Sequence, residues 1–341
     1  MRKLFLVLVL VPALSATALE VNLLEVDLAV APGQAHPFSF IVRNETEVAE
    51  MFSVYIGDWD RDATGENRFY PPGTLPSSLA SWLTVAPTSF SLGPGEVREV
   101  IGTLRVPVGA EVGTHWGIVF VHGEPRPVEH QGTTVMVAKR IGIKVYATVG
   151  SASPEGEVRS LSFRGLNPLW LVIEFANVGL VNLHEVRVGV EVYDATGDVV
   201  VRVEPDPFPC LPGGVREVVV ATEVRPSPGT YLVVARVDPG GEEVLAAQAY
   251  LRVRPLSLVP LVGASAPRDL DGDGLYEDVD GNGVFDENDV HLFRELWASA
   301  PVQGNARAFD FDNSGRVDEG DADALAALRA VSQSGTRPRL Q

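Results

Sequence analysis

Near the carboxyl end of the chain, acidic and amide residues recur at every second position, and each run carries a glycine at its sixth position. Three twelve-residue stretches share this pattern, and they begin at Asp269, Asp278 and Asp310. Sixteen Asp and Glu against five Arg fall in residues 268–329, so −11 of the net charge of −18 lies in under a fifth of the 341 residues. Charge at this density either keeps a segment unfolded or is neutralised by something bound. The spacing therefore decides what this part of the chain can fold into.

The spacing favours a bound calcium ion. Ca²⁺ takes six to eight oxygen ligands at about 2.3–2.6 Å, and twelve-residue calcium loops supply them from positions 1, 3, 5, 7, 9 and 12, with Gly at position 6 and the backbone carbonyl at position 7. Residues 278–289 place at these positions Asp278, Asp280, Asn282, Val284, Asp286 and Asp289. Residues 310–321 place there Asp310, Asp312, Ser314, Arg316, Asp318 and Asp321. The sequence thus predicts two calcium sites.

A third stretch, residues 269–280, predicts an additional and weaker calcium site. Its ligand positions hold Asp269, Asp271, Asp273, Leu275, Glu277 and Asp280. It shares Asp280 with the next loop, so the two loops cannot both use every oxygen freely. The competing interpretation of all these carboxylates is a solvated acidic tail. A glycine at the sixth position of three stretches argues against that interpretation.

Each main loop runs into a segment with an apolar face, and no helical pattern precedes either loop. Val290 and Phe293 lie on the first face, and Leu325 and Leu328 lie on the second. This loop-then-helix order, with Asp at position 12, resembles the duplicated half-EF-hands of dockerin domains over residues 268–331. The resemblance implies an extracellular calcium module that docks onto a cohesin partner. The residues at loop positions 10 and 11 differ from the small hydroxyl pairs of cellulosomal dockerins, since they are Glu287-Asn288 and Glu319-Gly320.

Upstream, residues 19–150 and 151–254 show short apolar and polar alternations separated by turn residues, which is typical of antiparallel sandwiches. Valines occupy every second position of residues 186–192, for example. Roughly seven strands in about a hundred residues is the size of an immunoglobulin-like sandwich. We therefore predict a mainly β chain of two tandem immunoglobulin-like β-sandwiches (19–150 and 151–254), a linker (255–267), a small α-helical dockerin-like calcium-binding module (268–331) and a tail (332–341).

Two stretches of the first region carry a further resemblance. Residues 82–96 contain a short strand pattern before a Pro-Gly turn, and residues 140–146 have the pattern of a closing strand with a central lysine. The plan of residues 19–253 resembles that of two-domain periplasmic pilus chaperones, in which a lysine of this strand anchors the carboxylate of a pilin subunit. The resemblance implies that role for Lys144. The partner arginine of that family, expected near the start of the first strand, has no counterpart in residues 21–30.

The amino terminus predicts export. Arg2 and Lys3 precede an apolar run over residues 4–14, and Ala16-Thr17-Ala18 offers the small residues of a signal peptidase site. We therefore predict that residues 1–18 are a cleaved signal peptide. A membrane span needs about twenty apolar residues, so no transmembrane segment is expected after cleavage.

Charge and motif content limit the functions further. The net charge of −18 disfavours nucleic acid. The single cysteine, Cys210, excludes an internal disulfide. The sequence has no nucleophile elbow, phosphate-binding glycine loop or helical His pair, which favours a protein that is not an enzyme. We expect a secreted, cell-surface or periplasmic calcium-binding protein that docks onto an extracellular or envelope protein, such as a cohesin-like one. Two alternatives stay open: a component of an extracellular polysaccharide-degrading assembly, and a periplasmic pilus-type chaperone that acts by strand donation.

Overall fold

The structure is a computed structural model that describes residues 19–130, 133–166, 168–222 and 224–333. The predicted signal peptide and nearly all of the predicted tail lie outside these residues. The chain divides into two compact units: residues 1–62 with 66–153, and residues 63–65 with 154–341. The first unit contains the predicted first sandwich. The second unit contains the predicted second sandwich together with the linker and the acidic module.

The described part of the first unit is built of strands. They are β1 (Leu19–Val21), β2 (Glu25–Val30), β3 (Ala35–Asn44), β4 (Glu50–Arg61), β5 (Asn67–Tyr70), β6 (Leu83–Ala86), β7 (Ser89–Leu92), β8 (Val97–Arg105), β9 (Gly113–Gly123), β10 (Arg126–His130), β11 (Thr133–Val137) and β12 (Arg140–Val149). One sheet has the order β1-β3-β8-β6, and the other has the order β2-β12-β9-β4-β5, with β7 also paired to β4. β10 and β11 form a two-stranded ribbon.

The two sheets of the first unit enclose one apolar core. Alternation in β3 buries Phe40 and Val42, while β9 contributes Val119 and Val121 and β12 contributes Val145. β2 runs parallel to β12, with Glu25 opposite Lys144. The antiparallel partner of β12 is β9. These pairings place Lys144 in a strand that has neighbours on both sides.

The second unit begins with another sandwich. Its strands are β13 (Gly156–Leu166), β14 (Leu169–Asn177), β15 (Leu183–Tyr193), β16 (Val199–Val203), β17 (Phe208–Cys210), β18 (Val215–Ala221), β19 (Gly229–Asp238) and β20 (Leu245–Val253). One sheet has the order β13-β14-β18, and the other has the order β16-β15-β19-β20, with β17 paired to β15. The valines of β15 at positions 186, 188, 190 and 192 are all buried. The prediction of a mainly β chain with two immunoglobulin-like sandwiches is confirmed.

The acidic region folds around short helices. They are α1 (Glu287–Leu296), α2 (Ala300–Gln303), α3 (Ala306–Phe309) and α4 (Glu319–Gln333). α1 follows the loop of residues 278–289, and α4 follows the loop of residues 310–321, as predicted. The expectation that no helix precedes either loop was wrong for the second loop, because the short helix α3 ends at Phe309, directly before Asp310. Phe293 of α1 is fully buried, and its ring lies 5.9 Å from that of Phe309 and 5.1 Å from that of Phe311. These rings form the centre of a third apolar core.

The segment between the second sandwich and the module, residues 255–267, is packed. Leu256, Leu258 and Leu261 contact the core of the module. A β-carbon at Gly281 would collide with the carbonyl oxygen of Ala266, and this glycine has a φ of +71°. Among the described residues, none of the helices has the length and apolar character needed to cross a membrane.

Candidate functional sites

The loop of residues 278–289 brings three carboxylates together. Oxygens of Asp278, Asp280 and Asp289 lie within 4.8 Å of one another. Asp278 accepts hydrogen bonds from the amides of Asn282 at 3.0 Å and Gly283 at 2.7 Å. Asp289, at position 12, accepts from the amide of Asp280 at 3.2 Å and closes the loop back onto its first half. The backbone thus wraps around the carboxylates at positions 1 and 12.

The loop of residues 310–321 repeats this arrangement position by position. Oxygens of Asp310, Asp312 and Asp321 lie within 4.8 Å of one another. Asp310 accepts from the amides of Ser314 and Gly315, both at 3.0 Å. Asp321 accepts from the amide of Asp312 at 3.1 Å. Two loops of different sequence therefore reach the same geometry, which follows from their shared aspartate and glycine positions.

Carboxylates at positions 1 and 12 of both loops are almost fully buried. They are Asp278, Asp289, Asp310 and Asp321. Burial raises the pKa of Asp289, Asp310 and Asp321, because a carboxylate loses hydration away from water. Ionised carboxylates held this close repel one another, and a divalent cation removes the repulsion. Oxygen donors at this spacing fit a hard cation such as Ca²⁺.

The stretch of residues 269–280, predicted as the weaker site, brings only its first three ligand positions together. Oxygens of Asp269, Asp271 and Asp273 lie within 4.8 Å of one another. Asp280, the predicted position 12, belongs to the carboxylate group of the next loop. Position 9 is Glu277, which accepts from the amide of Leu270 at 3.0 Å, and burial raises its pKa to about 7. This stretch therefore brings together its carboxylates at positions 1, 3 and 5, but it lacks the closing carboxylate at position 12 that the other two loops have.

The remaining acidic ligand positions stabilise the turns into the helices. Asp286 caps α1 and accepts from the amide of Asn288 at 2.8 Å. Asp318 accepts from the amide of Gly320 at 2.8 Å, and its carboxylate lies 2.7 Å from Nε of Arg316. A carboxylate that faces an arginine is a weaker ligand than a free one, because the arginine already compensates its charge.

The positions predicted to act through backbone carbonyls are 275, 284 and 316. The hydroxyl of Ser314 donates to the carbonyl oxygen of Arg316 at 3.2 Å, so positions 5 and 7 of that loop present oxygens next to each other. In the loop of residues 278–289, Oδ1 of Asn282 accepts from the amide of Val284 at 2.8 Å. Leu275 is buried in the module core, whereas Val284 is exposed.

In the first sandwich, Lys144 lies beside a buried tryptophan. Its Nζ is 4.4 Å from the ring centroid of Trp59, and Cζ of Arg61 lies 5.0 Å from the same ring. Trp59 is fully buried, and its Nε1 donates to the carbonyl of Gly117 at 3.1 Å. Burial and the charge of Arg61 lower the pKa of Lys144 to about 8. The cationic groups of Lys144 and Arg61 therefore both lie near the ring of Trp59.

Sequence reasoning missed Arg61. The family resemblance led us to look for an arginine in residues 21–30, whereas in the structure Arg61, at the end of β4, lies near the same tryptophan ring as Lys144. Nη1 of Arg61 is buried and has no hydrogen-bond partner among the described residues. Trp59 and Arg61 are two residues apart in one strand and so share a face, which is the signal that the sequence offered. Recognising it required knowing that β4 and β12 lie on either side of β9.

Replacing Lys144 by methionine is expected to stabilise the first unit at neutral pH. A pKa shift from 10.5 to about 8 would correspond to about 3 kcal/mol for a fully buried lysine. Solvent screening of a half-buried ammonium group reduces the gain to about 1 kcal/mol. The folded state disfavours the proton, so the gain is complete below pH 8 and is lost as the pH rises to 10.5.

Hydrogen exchange of the β9 and β12 amides, compared at pH values on both sides of that window, measures this effect. Lys139→Met is the matched control, because Lys139 lies outside the Trp59 site in the connection between β11 and β12. Equal stability of Lys144→Met and the unmodified protein at pH 7 would show that the lysine carries no burial cost.

Comparisons with known proteins add a likeness in fold. No protein-family model matches the sequence, and neither does any curated protein. A chain of the chaperone-tip adhesin complex of CFA/I fimbriae biogenesis is 14% identical, over 68% of this chain and 98% of that one, with a TM-score of 0.38. The class 5 fimbriae chaperone CfaA is 15% identical, over 70% and 100% of the chains, with a TM-score of 0.36. A chain of the CsuC–CsuE pre-assembly complex of Acinetobacter baumannii is 10% identical, over 68% and 98%, with a TM-score of 0.38. At these identities the likeness concerns the fold alone.

Proposed function

We propose that this protein is an exported, non-enzymatic calcium-binding protein whose carboxyl-terminal module docks onto an extracellular or envelope protein. The observation that carries the proposal is the pair of loops in which buried carboxylates at positions 1 and 12 meet a third carboxylate at position 3. Calcium would be held by the loops of residues 278–289 and 310–321. The stretch of residues 269–280 would bind it more weakly, because its position 12 is used by its neighbour.

The dockerin resemblance suggests where a partner would bind. Loop positions 10 and 11 open α1 and α4, and their residues Glu287, Asn288 and Glu319 are exposed. Calcium would order the loops that present these helix starts, so docking would depend on calcium. A role in a polysaccharide-degrading assembly rests on the resemblance alone. The partner, on this proposal, is a protein of the cell surface, the periplasm or the medium.

Titration calorimetry of the full-length protein tests the calcium step. We expect two main binding events, and a weaker third event from residues 269–280. The variant with both Asp289→Ala and Asp321→Ala should lose the two main events. Capture of envelope proteins should then require calcium and fail with this variant. The proposal would be refuted if titration with calcium released or absorbed no heat and if millimolar calcium left the circular dichroism spectrum unchanged.

A second candidate function is capture of a partner's chain end by the first sandwich, as a strand-donating chaperone does. β2 covers the outer side of β12 only from Lys144 onward, so among the described residues the start of β12 pairs on one side only. Val135, Met136 and Val137 of the neighbouring β11 are exposed. An unpaired strand edge beside apolar side chains favours strand addition. Lys144 and Arg61 would supply the charge that a terminal carboxylate needs.

A pair of extended apolar peptides with a free or an amidated carboxyl end tests this second function. We expect the free peptide to bind at least tenfold more tightly, because only its carboxylate can pair with the two cations. Arg61→Ala and Lys144→Ala should each remove that preference, whereas Lys139→Ala should keep it. Equal binding of both peptides to the unmodified protein would rule out the carboxylate role of Lys144.

A further inference from the structure

The connection between β18 and β19 of the second sandwich contacts two of the three acidic loops. Nη2 of Arg225 donates to Oδ1 of Asn313 at 3.1 Å. Oγ of Ser227 donates to the carbonyl oxygen of Gly272 at 2.5 Å. The residue between them, Pro226, is buried. One short segment of the sandwich thus holds the module at two separate loops.

This connection is also anchored to its own sandwich. Val224 packs against the sandwich core, and the hydroxyl of Tyr231 in β19 donates to the carbonyl of Ser227 at 2.9 Å. From the module side, Nη2 of Arg307 in α3 donates to the carbonyl of Pro226 at 3.4 Å. A segment anchored on both sides moves only if one of these contacts breaks. Displacement of the loops therefore acts directly on the sandwich connection.

The two contacted residues occupy the same place in their loops. Gly272 is position 4 of residues 269–280, and Asn313 is position 4 of residues 310–321. Both have a left-handed backbone, with φ of +82° and +60°. Position 4 lies between the ligand positions 3 and 5. An ion that fixes those two ligands therefore fixes the peptide that the sandwich contacts.

We propose that the β18–β19 connection couples calcium occupancy of residues 269–280 and 310–321 to docking of the module on its own sandwich. The inference rests on the calcium-binding function proposed above. Without an ion, repulsion between the carboxylates of a loop loosens position 4, and the hydrogen bonds to the connection weaken. With an ion bound in each of the two loops, both hydrogen bonds to the connection are maintained. Because coupling is reciprocal, contacts that favour the calcium-bound loops must raise their calcium affinity by the same factor.

The middle loop provides an internal control. Its position 4 is Gly281, which packs against Ala266 of the preceding segment and not against the connection. Variants of the connection should therefore leave the calcium affinity of residues 278–289 unchanged. A general loss of stability would instead weaken all three loops together.

Two substitutions each remove one hydrogen bond between the connection and a loop without changing the charge of the protein. Ser227→Ala removes the donor to Gly272. Asn313→Gly removes the acceptor of Arg225, and glycine tolerates the positive φ of that position. Changing Arg225 itself is less informative, since loss of a cation near acidic loops favours calcium binding by a separate electrostatic route. Ser160→Ala, at an exposed position of β13, serves as the matched control.

Hydrogen exchange of the full-length protein during a calcium titration measures each loop separately. In Ser227→Ala we expect the calcium midpoint of residues 269–276 to rise about three- to tenfold, which is the range for one hydrogen bond. In Asn313→Gly we expect the same rise for residues 310–318. In the unmodified protein, calcium should also slow exchange in the connection, and Asp310→Ala should reduce that protection.

Unchanged midpoints in both variants, while calcium still protects all loops, would overturn the coupling and leave the calcium sites standing. An equal shift of all three loops would also overturn it. Absence of calcium protection in every loop of the unmodified protein would overturn the proposed function itself, and the coupling with it.

Discussion

Calcium is expected to raise the free energy of unfolding of the second unit by about 5 kcal/mol once its concentration exceeds the dissociation constants of the two main loops a hundredfold. Each site that binds only the folded chain contributes about 2.7 kcal/mol at that ratio. The unfolded chain lacks the sites, because they depend on buried carboxylates that folding brings within 4.8 Å. Denaturation of the full-length protein with calcium and with a chelator measures the difference.

Single variants measure how much each loop contributes to the calcium-dependent stabilisation. Asp289→Ala and Asp321→Ala should each remove about 2.7 kcal/mol of the calcium-dependent stabilisation. Asp323→Ala is the matched control, because this residue lies in α4 only two positions from Asp321 and its side chain is 80% exposed. We expect it to retain the full calcium effect. Equal calcium responses of Asp321→Ala and Asp323→Ala would contradict the assignment of position 12.

Phe293→Ala is expected to destabilise the module by about 3–5 kcal/mol, the usual cost of removing a buried phenylalanine. Its ring is fully buried against Phe309 and Phe311. Phe311 is position 2 of the loop of residues 310–321, so loss of the aromatic contact should also loosen that loop. Calcium affinity of this loop should therefore fall along with stability, which calorimetry and denaturant unfolding measure on the same samples.

Leu328→Ala provides the comparison for this prediction. Leu328 lies in α4 of the same module and is 45% exposed, so its truncation removes little buried surface. We expect a change below about 1 kcal/mol. Similar losses in the two variants would mean that the aromatic cluster does not form the core of the module.

Sequence periodicity was sufficient for those sandwich strands that have one buried face. The alternation of residues 186–192 predicted which valines enter the core, and all of them do. Spacing was sufficient for the two main loops, since ligand positions and turn glycines are local along the chain. Their carboxylates do meet, although the ion itself stays a prediction. Local patterns of this kind need no knowledge of distant partners.

Contacts between residues that meet only in the tertiary structure could not be predicted from the sequence. The place of Arg61 beside Lys144 depends on the order of β4, β9 and β12 in one sheet. The assignment of Asp280 to a single loop depends on how the closing Asp289 folds back. Predicted as a linker, residues 255–267 contain leucines that pack on the module core, and the prolines and the glycine between them hid that role.

By itself, the sequence determined the mainly β class, the twelve-residue acidic loops and the helices that follow two of them, because these depend on side-chain periods and on glycine at fixed positions. Only the tertiary structure decided which acidic stretch lacks its closing carboxylate, where a second cation joins Lys144, and that Arg225 and Ser227 of the sandwich hold the loops. The contacts of Arg61, Arg225 and Ser227 join residues separated by tens of positions. Their proximity is set by strand order and core packing, which no local pattern encodes.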